Sequence, residues 1–218
     1  MSALWQFVTD PTNDFIGHTI AYLQICGLSI IIAMVIGIAI GVGVSRSNVL
    51  AFVAVNVSGL LRAIPVIAFL IAALPYLGVG FKPTVVALII LGIPPILLNT
   101  YTGIRGIDHA IIDAARGMGM TLWQIITRIQ APLVLPIIAA GVRTSAIQII
   151  GTATLAAFIG AGGYGEYIID GLNRLNNTAL LAGAIPVAIL AILVEAFMSW
   201  LQGKITPKGL RVEVETAK

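Results

Sequence analysis

Charge is what this sequence has least of. Lys, Arg, Asp and Glu together make up 10% of 218 residues, where a soluble domain carries about 25%. Its apolar residues reach 59% before the 23 glycines are counted, and mean hydropathy is +1.04. A soluble globule of this size would expose large apolar patches. Disorder, a nucleic-acid-binding domain and an ordinary cytosolic enzyme are therefore excluded. One cysteine, Cys26, excludes an internal disulfide and reads as a small packing residue. With two histidines beside it there is no convincing metal-ligand set. No G-x-x-x-x-G-K-[ST] phosphate loop occurs, so ATP is not bound by that route. The first 17 residues hold Asp10 and Asp14 but no Lys or Arg, and so do not read as a secretory leader.

What is present is long apolar stretches. A bilayer span needs ~20 mostly apolar residues, and five fit, near 19–43, 50–74, 83–104, 133–158 and 178–201. The third is expected to break late, at Pro94 and Pro95. The stretch 47–80 is long for one helix, which leaves room for a re-entrant tail or two half-spans. The expectation is an all-α, polytopic membrane bundle, one domain over 1–218, in the lipid bilayer. Basic residues concentrate in cytoplasmic loops. With the N-terminus outside, Arg46, Arg105, Arg116, Arg128, Lys204, Lys208, Arg211 and Lys218 fall inside, and only Lys82 and Arg174 fall outside. Eight against two predicts N-out, C-in, and assigns the basic balance to topology rather than to nucleic acid.

The longest polar insertion, about 105–131, reads as a cytoplasmic hairpin. Asp108 is placed as an N-cap ahead of Ala110, Ile111, Ala114, Ala115 and Met118 at helical spacing. Gly117 and Gly119 weaken or end that helix. Thr121 and Gln124 then form a capping box for a second helix, expected to stop at Pro132. Such a hairpin suits either docking onto a partner or a helical cap on the bundle. Residues 160–165, Gly-Ala-Gly-Gly-Tyr-Gly, are too glycine-rich for a stable helix. Thr152 and Thr154 are expected to bond carbonyls of their own helix. Tyr101, Tyr164, Tyr167 and Trp200 fall near span ends and read as interfacial anchors.

Residues 113–132, DAARGMGMTLWQIITRIQAP, resemble the E-A-A-x3-G-x9-I-x-L-P signature of permease subunits of bacterial ATP-binding-cassette importers. Asp113, Ala114, Ala115, Gly119, Ile129 and Pro132 fall in register, with Asp113 in place of Glu and Ala131 in place of Leu. Arg62-Ala63-Ile64-Pro65 resembles a segment in the second span of small type I importers such as methionine permeases. Asn99-Thr100-Tyr101-Thr102-Gly103 and GTATLAAFIGAGGYGEYI at 151–168 look most like the osmoprotectant permeases for glycine betaine, choline or carnitine. The resemblance spans roughly 15–205.

The resemblance implies a transport subunit of the inner membrane, not an enzyme. It implies two such permease chains, identical or paralogous, two ATPase subunits that hold the ATP and magnesium, and an extracytoplasmic solute-binding protein. No cofactor is expected on this chain. The hairpin would be the coupling helix, with Asp113, Ala114, Ala115, Arg116, Gly117, Gly119 and Thr121 at the ATPase. Gly119 would reverse the backbone, the two alanines would keep the contact flat, and Asp113 and Arg116 would pair across the interface or within the hairpin. A plainer role for Asp113 is a first-turn charge favoured by the helix dipole. Pathway or gate candidates are Arg62, Pro65 (a kink), Arg143, Thr152, Gly162 and Gly163. Arg62 would lie ~24 Å of helix from Arg46, and Arg62 or Arg143 could meet a solute carboxylate. Alternatively Arg143 pairs with Glu195. The glycine stretch is either a flexible gate, a docking surface or a plain exit loop. Nothing in the chain order gathers four aromatics into a cage for quaternary ammonium. Import of methionine or another amino acid, export by a relative, and a secondary transporter or channel are the alternatives.

Overall fold

The computed structural model describes residues 2–207. Lys208, Arg211 and Lys218 of the basic count lie outside the described residues. The described chain is helical throughout: α1 (Ser2–Thr9), α2 (Phe15–Val44), α3 (Asn48–Ala63), α4 (Val66–Leu77), α5 (Phe81–Arg105), α6 (His109–Gly117), α7 (Leu122–Ile125), α8 (Ala131–Ala153), α9 (Tyr164–Asn173) and α10 (Asn177–Ile205). Four continuous helical stretches are long and apolar enough to span a bilayer, and the α3–α4 pair makes a fifth if counted as one span.

The core sits where α2, α5 and α8 meet. Small residues let these helices approach closely, as membrane packing requires where no hydrophobic drive acts between helices. A Cβ on Gly41 of α2 would lie 2.6 Å from Cβ of Thr100 on α5, and one on Gly141 of α8 would lie 2.7 Å from Cβ of Asn99. Cys26 is buried in this core, as expected. α10 packs on α8 and α9 along one side and leaves its other face exposed.

Several boundaries differ from the sequence expectation. α5 is not broken: Pro94 and Pro95 lie buried inside a continuous helix. Neighbouring side chains bond the backbone around them. Ser145 donates to the Gly92 carbonyl and Asn99 to the Pro95 carbonyl, each at 2.8 Å. Span two is broken instead. Ile64 and Pro65 are extended, Pro65 caps α4 rather than kinking a helix, and α3 and α4 meet at 92°. A proline pushes the residue before it out of the helical region. The hairpin's second helix does not stop at Pro132. A wide π-turn over 126–130, closed by the Ala131 N–H on the Ile126 carbonyl, carries α7 straight into α8. α8 in turn tightens into a 3-10 helix over 154–159.

Candidate functional site: the hairpin and the clamped glycine loop

One end of the bundle carries the hairpin. Asp108 Oδ1 accepts from the Ala110 N–H at 2.9 Å and starts α6. Gly119 takes φ +77, and the Met120 N–H returns to the Ala115 carbonyl, so the chain reverses in one step. Thr121 and Gln124 close the capping box in both directions, at 2.8 and 3.3 Å. Helix, glycine turn, helix is thus what the residues build. The turn rests on Gly119. Gly117 is an ordinary last helical residue with open space where a Cβ would be.

The hairpin carries an uncovered apolar patch beside its exposed charges. Met118 and Trp123 are each 73% exposed, Leu122 70%. Ala114 belongs to the exposed surface, whereas Ala115, 1% exposed, turns inward with Ile125. The two alanines therefore do not form one flat contact face. Arg116 reaches Asp113 at 3.5 Å, so their charges pair within the hairpin. Asp113 is the fifth residue of α6, beyond the first turn, and the dipole reading does not apply to it.

The far end holds a structure that the sequence did not announce. Phe7, Phe15, Tyr22, Tyr164 and Tyr167 gather there, with Phe15 stacked on Tyr167 and Phe7 edge-on to it. Tyr164 and Tyr167 are 6% and 7% exposed, so they are core residues rather than interfacial anchors. Their hydroxyls tie elements together: Tyr164 to Thr19 at 2.8 Å, Tyr167 to the Asn13 carbonyl, and Tyr22 to the Ile150 carbonyl. Burial, with Asp14 and Glu166 nearby, pushes the Tyr167 phenol up to about 12. The rings pack on one another and enclose no cage. The only sequence signal was aromatic residues three apart on α9, one helical face, facing Phe15 and Tyr22 on α2.

The glycine stretch is fastened to this cluster. Gly162 and Gly163 take φ of +81 and +84. The Gly163 N–H donates to His18 Nδ1 at 3.2 Å, and a Cβ on Gly163 would meet Tyr22 Cδ2 at 2.9 Å. Gly165 already belongs to α9, where a Cβ would collide with the Thr154 carbonyl. Thr154 bonds the Gly151 carbonyl as expected, but no such bond is seen for Thr152, half-buried near the end of α8. Trp200 stays exposed, with Lys204 over its ring at 4.0 Å. Tyr101 is half-buried.

Among the other candidates, Arg62 is exposed at the α3–α4 break and forms no ion pair among the described residues. Arg143 on α8 pairs with Glu195 on α10. The sequence candidates thus fall into separate places: the hairpin, the break, the α8–α10 contact and the glycine loop.

Residues 29–208 match the family of binding-protein-dependent transport system inner membrane components. The chain belongs to that family. It is 39% identical over 211 residues to the carnitine transport permease protein OpuCB of Listeria monocytogenes, covering 97% of each chain. It is 37% identical over 211 residues to the glycine betaine/carnitine/choline transport system permease protein OpuCB of Bacillus subtilis, again covering 97% of each. The osmoprotectant import permease protein OsmW of Salmonella typhimurium is 34% identical over 210 residues, covering 94% of this chain and 98% of that one. In fold it is similar to the inward-facing MetNI methionine ABC transporter, with TM-score 0.78 at 22% identity over 91% of this chain and all of that one. This is a multi-pass inner-membrane permease with the type I importer fold.

Proposed function

We propose that this permease forms, with a second permease chain, the membrane path of an ATP-driven importer for a small quaternary ammonium or zwitterionic osmoprotectant: glycine betaine, choline or carnitine. The relatives named for these solutes support the choice, at up to 39% identity along nearly the whole chain. Similarity to the methionine transporter is one of fold and gives methionine weaker support. The observation that carries the coupling role is the hairpin. It is a doubly capped projection that exposes three large apolar side chains, Met118, Leu122 and Trp123. Facing water alone such a patch costs free energy, and a groove on an ATPase would cover it. Hydrolysis then belongs to that partner, and this chain transmits its closure.

The bias of basic residues supports placing the hairpin inside the cell and the aromatic end outside, where a binding protein delivers solute. Affinity purification of the tagged chain from native membranes tests the assembly. An ATPase and a solute-binding protein are expected to come with it, and the binding protein is expected to take up betaine, choline or carnitine. An intact complex with no ATPase overturns the coupling role. A binding protein that takes only methionine overturns the solute assignment.

A further inference from the structure

Between α8 and α10 lies a cleft of about 560 Å³ whose polar lining is Arg143, Thr144, Gln148, Glu195 and Gln202. Arg143 is twelve residues into α8 and Glu195 ten residues from the end of α10, or ~18 and ~15 Å of helix. Counted so, both would stand near the middle of a hydrocarbon layer ~30 Å thick. Their side chains remain 34% and 35% exposed. An ion pair at that depth does not face lipid, because charge in hydrocarbon is too costly and is turned toward protein or a water-filled cavity. The rest of α10 divides accordingly. Ile189, Ile192, Leu193 and Phe197 form its exposed apolar surface, while Glu195 and Gln202, two turns apart, share the cleft.

The pair is also incomplete as a lock. Arg143 Nη2 engages Glu195 Oε1, but Glu195 Oε2 is enclosed without a partner among the described residues. A buried carboxylate oxygen calls for a donor or a cation. Guanidinium carries five N–H donors in a fork suited to a second carboxylate, and Glu195 takes one of them. If the contact served only to hold α8 to α10, apolar side chains would do it at least as well.

We propose that Arg143 and Glu195 form a mid-membrane subsite for a zwitterion. The free edge of the guanidinium receives the solute carboxylate, and the exposed side of the Glu195 carboxylate faces its quaternary ammonium group. That group has no N–H to donate and is satisfied by a bare negative charge. Thr144 and Gln148 supply the polar wall. The proposal rests on the solute class argued above. Choline, which has no carboxylate, uses Glu195 alone.

The test is uptake of labelled glycine betaine, carnitine and choline by the complete transporter in cells, with the amount of permease in the membrane measured for each variant. Arg143→Gln and Arg143→Lys are expected to slow glycine betaine and carnitine about tenfold or more, as loss of a forked ionic hydrogen bond does, and choline much less. Glu195→Gln is expected to slow all three. A structural lock gives a different pattern: equal losses for all three solutes from the Arg143 variants, and recovery when the charges are exchanged in the double variant R143E/E195R. Either result overturns the subsite. Arg143→Lys keeps the charge and so separates solute recognition from failure to fold. Wild-type import of none of the three overturns the solute class, and the subsite with it. Import without the expected split overturns the subsite alone.

Discussion

The backbone N–H of Gly163 lies 3.2 Å from Nδ1 of His18, across 145 residues of sequence. That contact fixes the glycine loop to α2 and requires the unprotonated nitrogen of the ring as acceptor. His18 Nε2 then turns toward Glu166 Oε2 at 3.7 Å. A segment rich in glycine is thus held as a rigid corner rather than left as a loose flap. Its backbone torsions, φ +84 and ψ −176 at Gly163, belong to a region that only glycine occupies without strain.

Gly163→Ala is therefore expected to destabilise the protein by about 1–3 kcal/mol, because the new methyl also meets Tyr22 Cδ2 at 2.9 Å. Gly162→Ala adds a methyl 3.6 Å from Ala21, ordinary contact distance, and carries the torsional cost alone. Melting temperatures in detergent for the two variants check the order. Equal effects would show that the packing against Tyr22 contributes nothing.

Tyr167→Phe removes one hydroxyl bond to the Asn13 carbonyl and leaves the ring contacts with Phe7 and Phe15 in place. A loss of about 0.5–1.5 kcal/mol is expected. The phenol also gives the wild type a pH dependence that the variant lacks. Its folded pKa is raised to about 12, against about 10 in the unfolded chain. Its neutral-form stabilisation is then complete below pH ~10 and is lost as pH rises toward ~12. Melting curves of the two proteins are expected to draw together across that window and then cross. Parallel curves would remove Tyr167 as the titrating group.

Pro65 sets the bend between α3 and α4, so Pro65→Ala is expected to let the two helices run on. Exposed Asn56 and Ala72 lie eight residues before Ile64 and eight after it. With legs of ~12 Å each, their backbones stand ~17 Å apart at a right-angle bend and ~24 Å apart in a straight helix. Spin labels at those positions, in a Cys26→Ala background, should report a lengthening of about 7 Å. An unchanged distance would assign the bend to the packing of α4 on α5.

The hairpin was legible because its signals are local: Asp108, Gly119 and the Thr121–Gln124 box each act within one turn of chain. Apolar run length likewise gave the spans. Prolines misled the reading wherever tertiary contact decided their effect. Pro94 and Pro95 stay helical in a buried core, Pro132 is absorbed by a π-turn, and exposed Pro65 breaks the chain. The aromatic cluster was invisible for a related reason. Its members come from α1, α2 and α9, and only the fold brings them together.

Gly119 offers the sharpest test of the hairpin's role. It is exposed, with no heavy atom within 4 Å of an added Cβ, yet it takes φ +77. A side chain there costs about 1–2 kcal/mol of torsional strain without a clash inside this chain. Gly119→Asp is therefore expected to insert and fold, and to abolish ATP-driven uptake by placing a charge in the exposed hairpin turn that carries Met118 and Trp123, the surface proposed above for the ATPase. Gly117→Ala separates the two effects, since its Cβ would stand in open space at an ordinary helical φ. Helix propensity alone makes alanine there neutral or stabilising, by up to about 1 kcal/mol. Any loss of uptake in that variant reports crowding at the partner surface. Wild-type uptake by Gly119→Asp would show that this face meets no ATPase, and the exposed Trp123 would then need another cover.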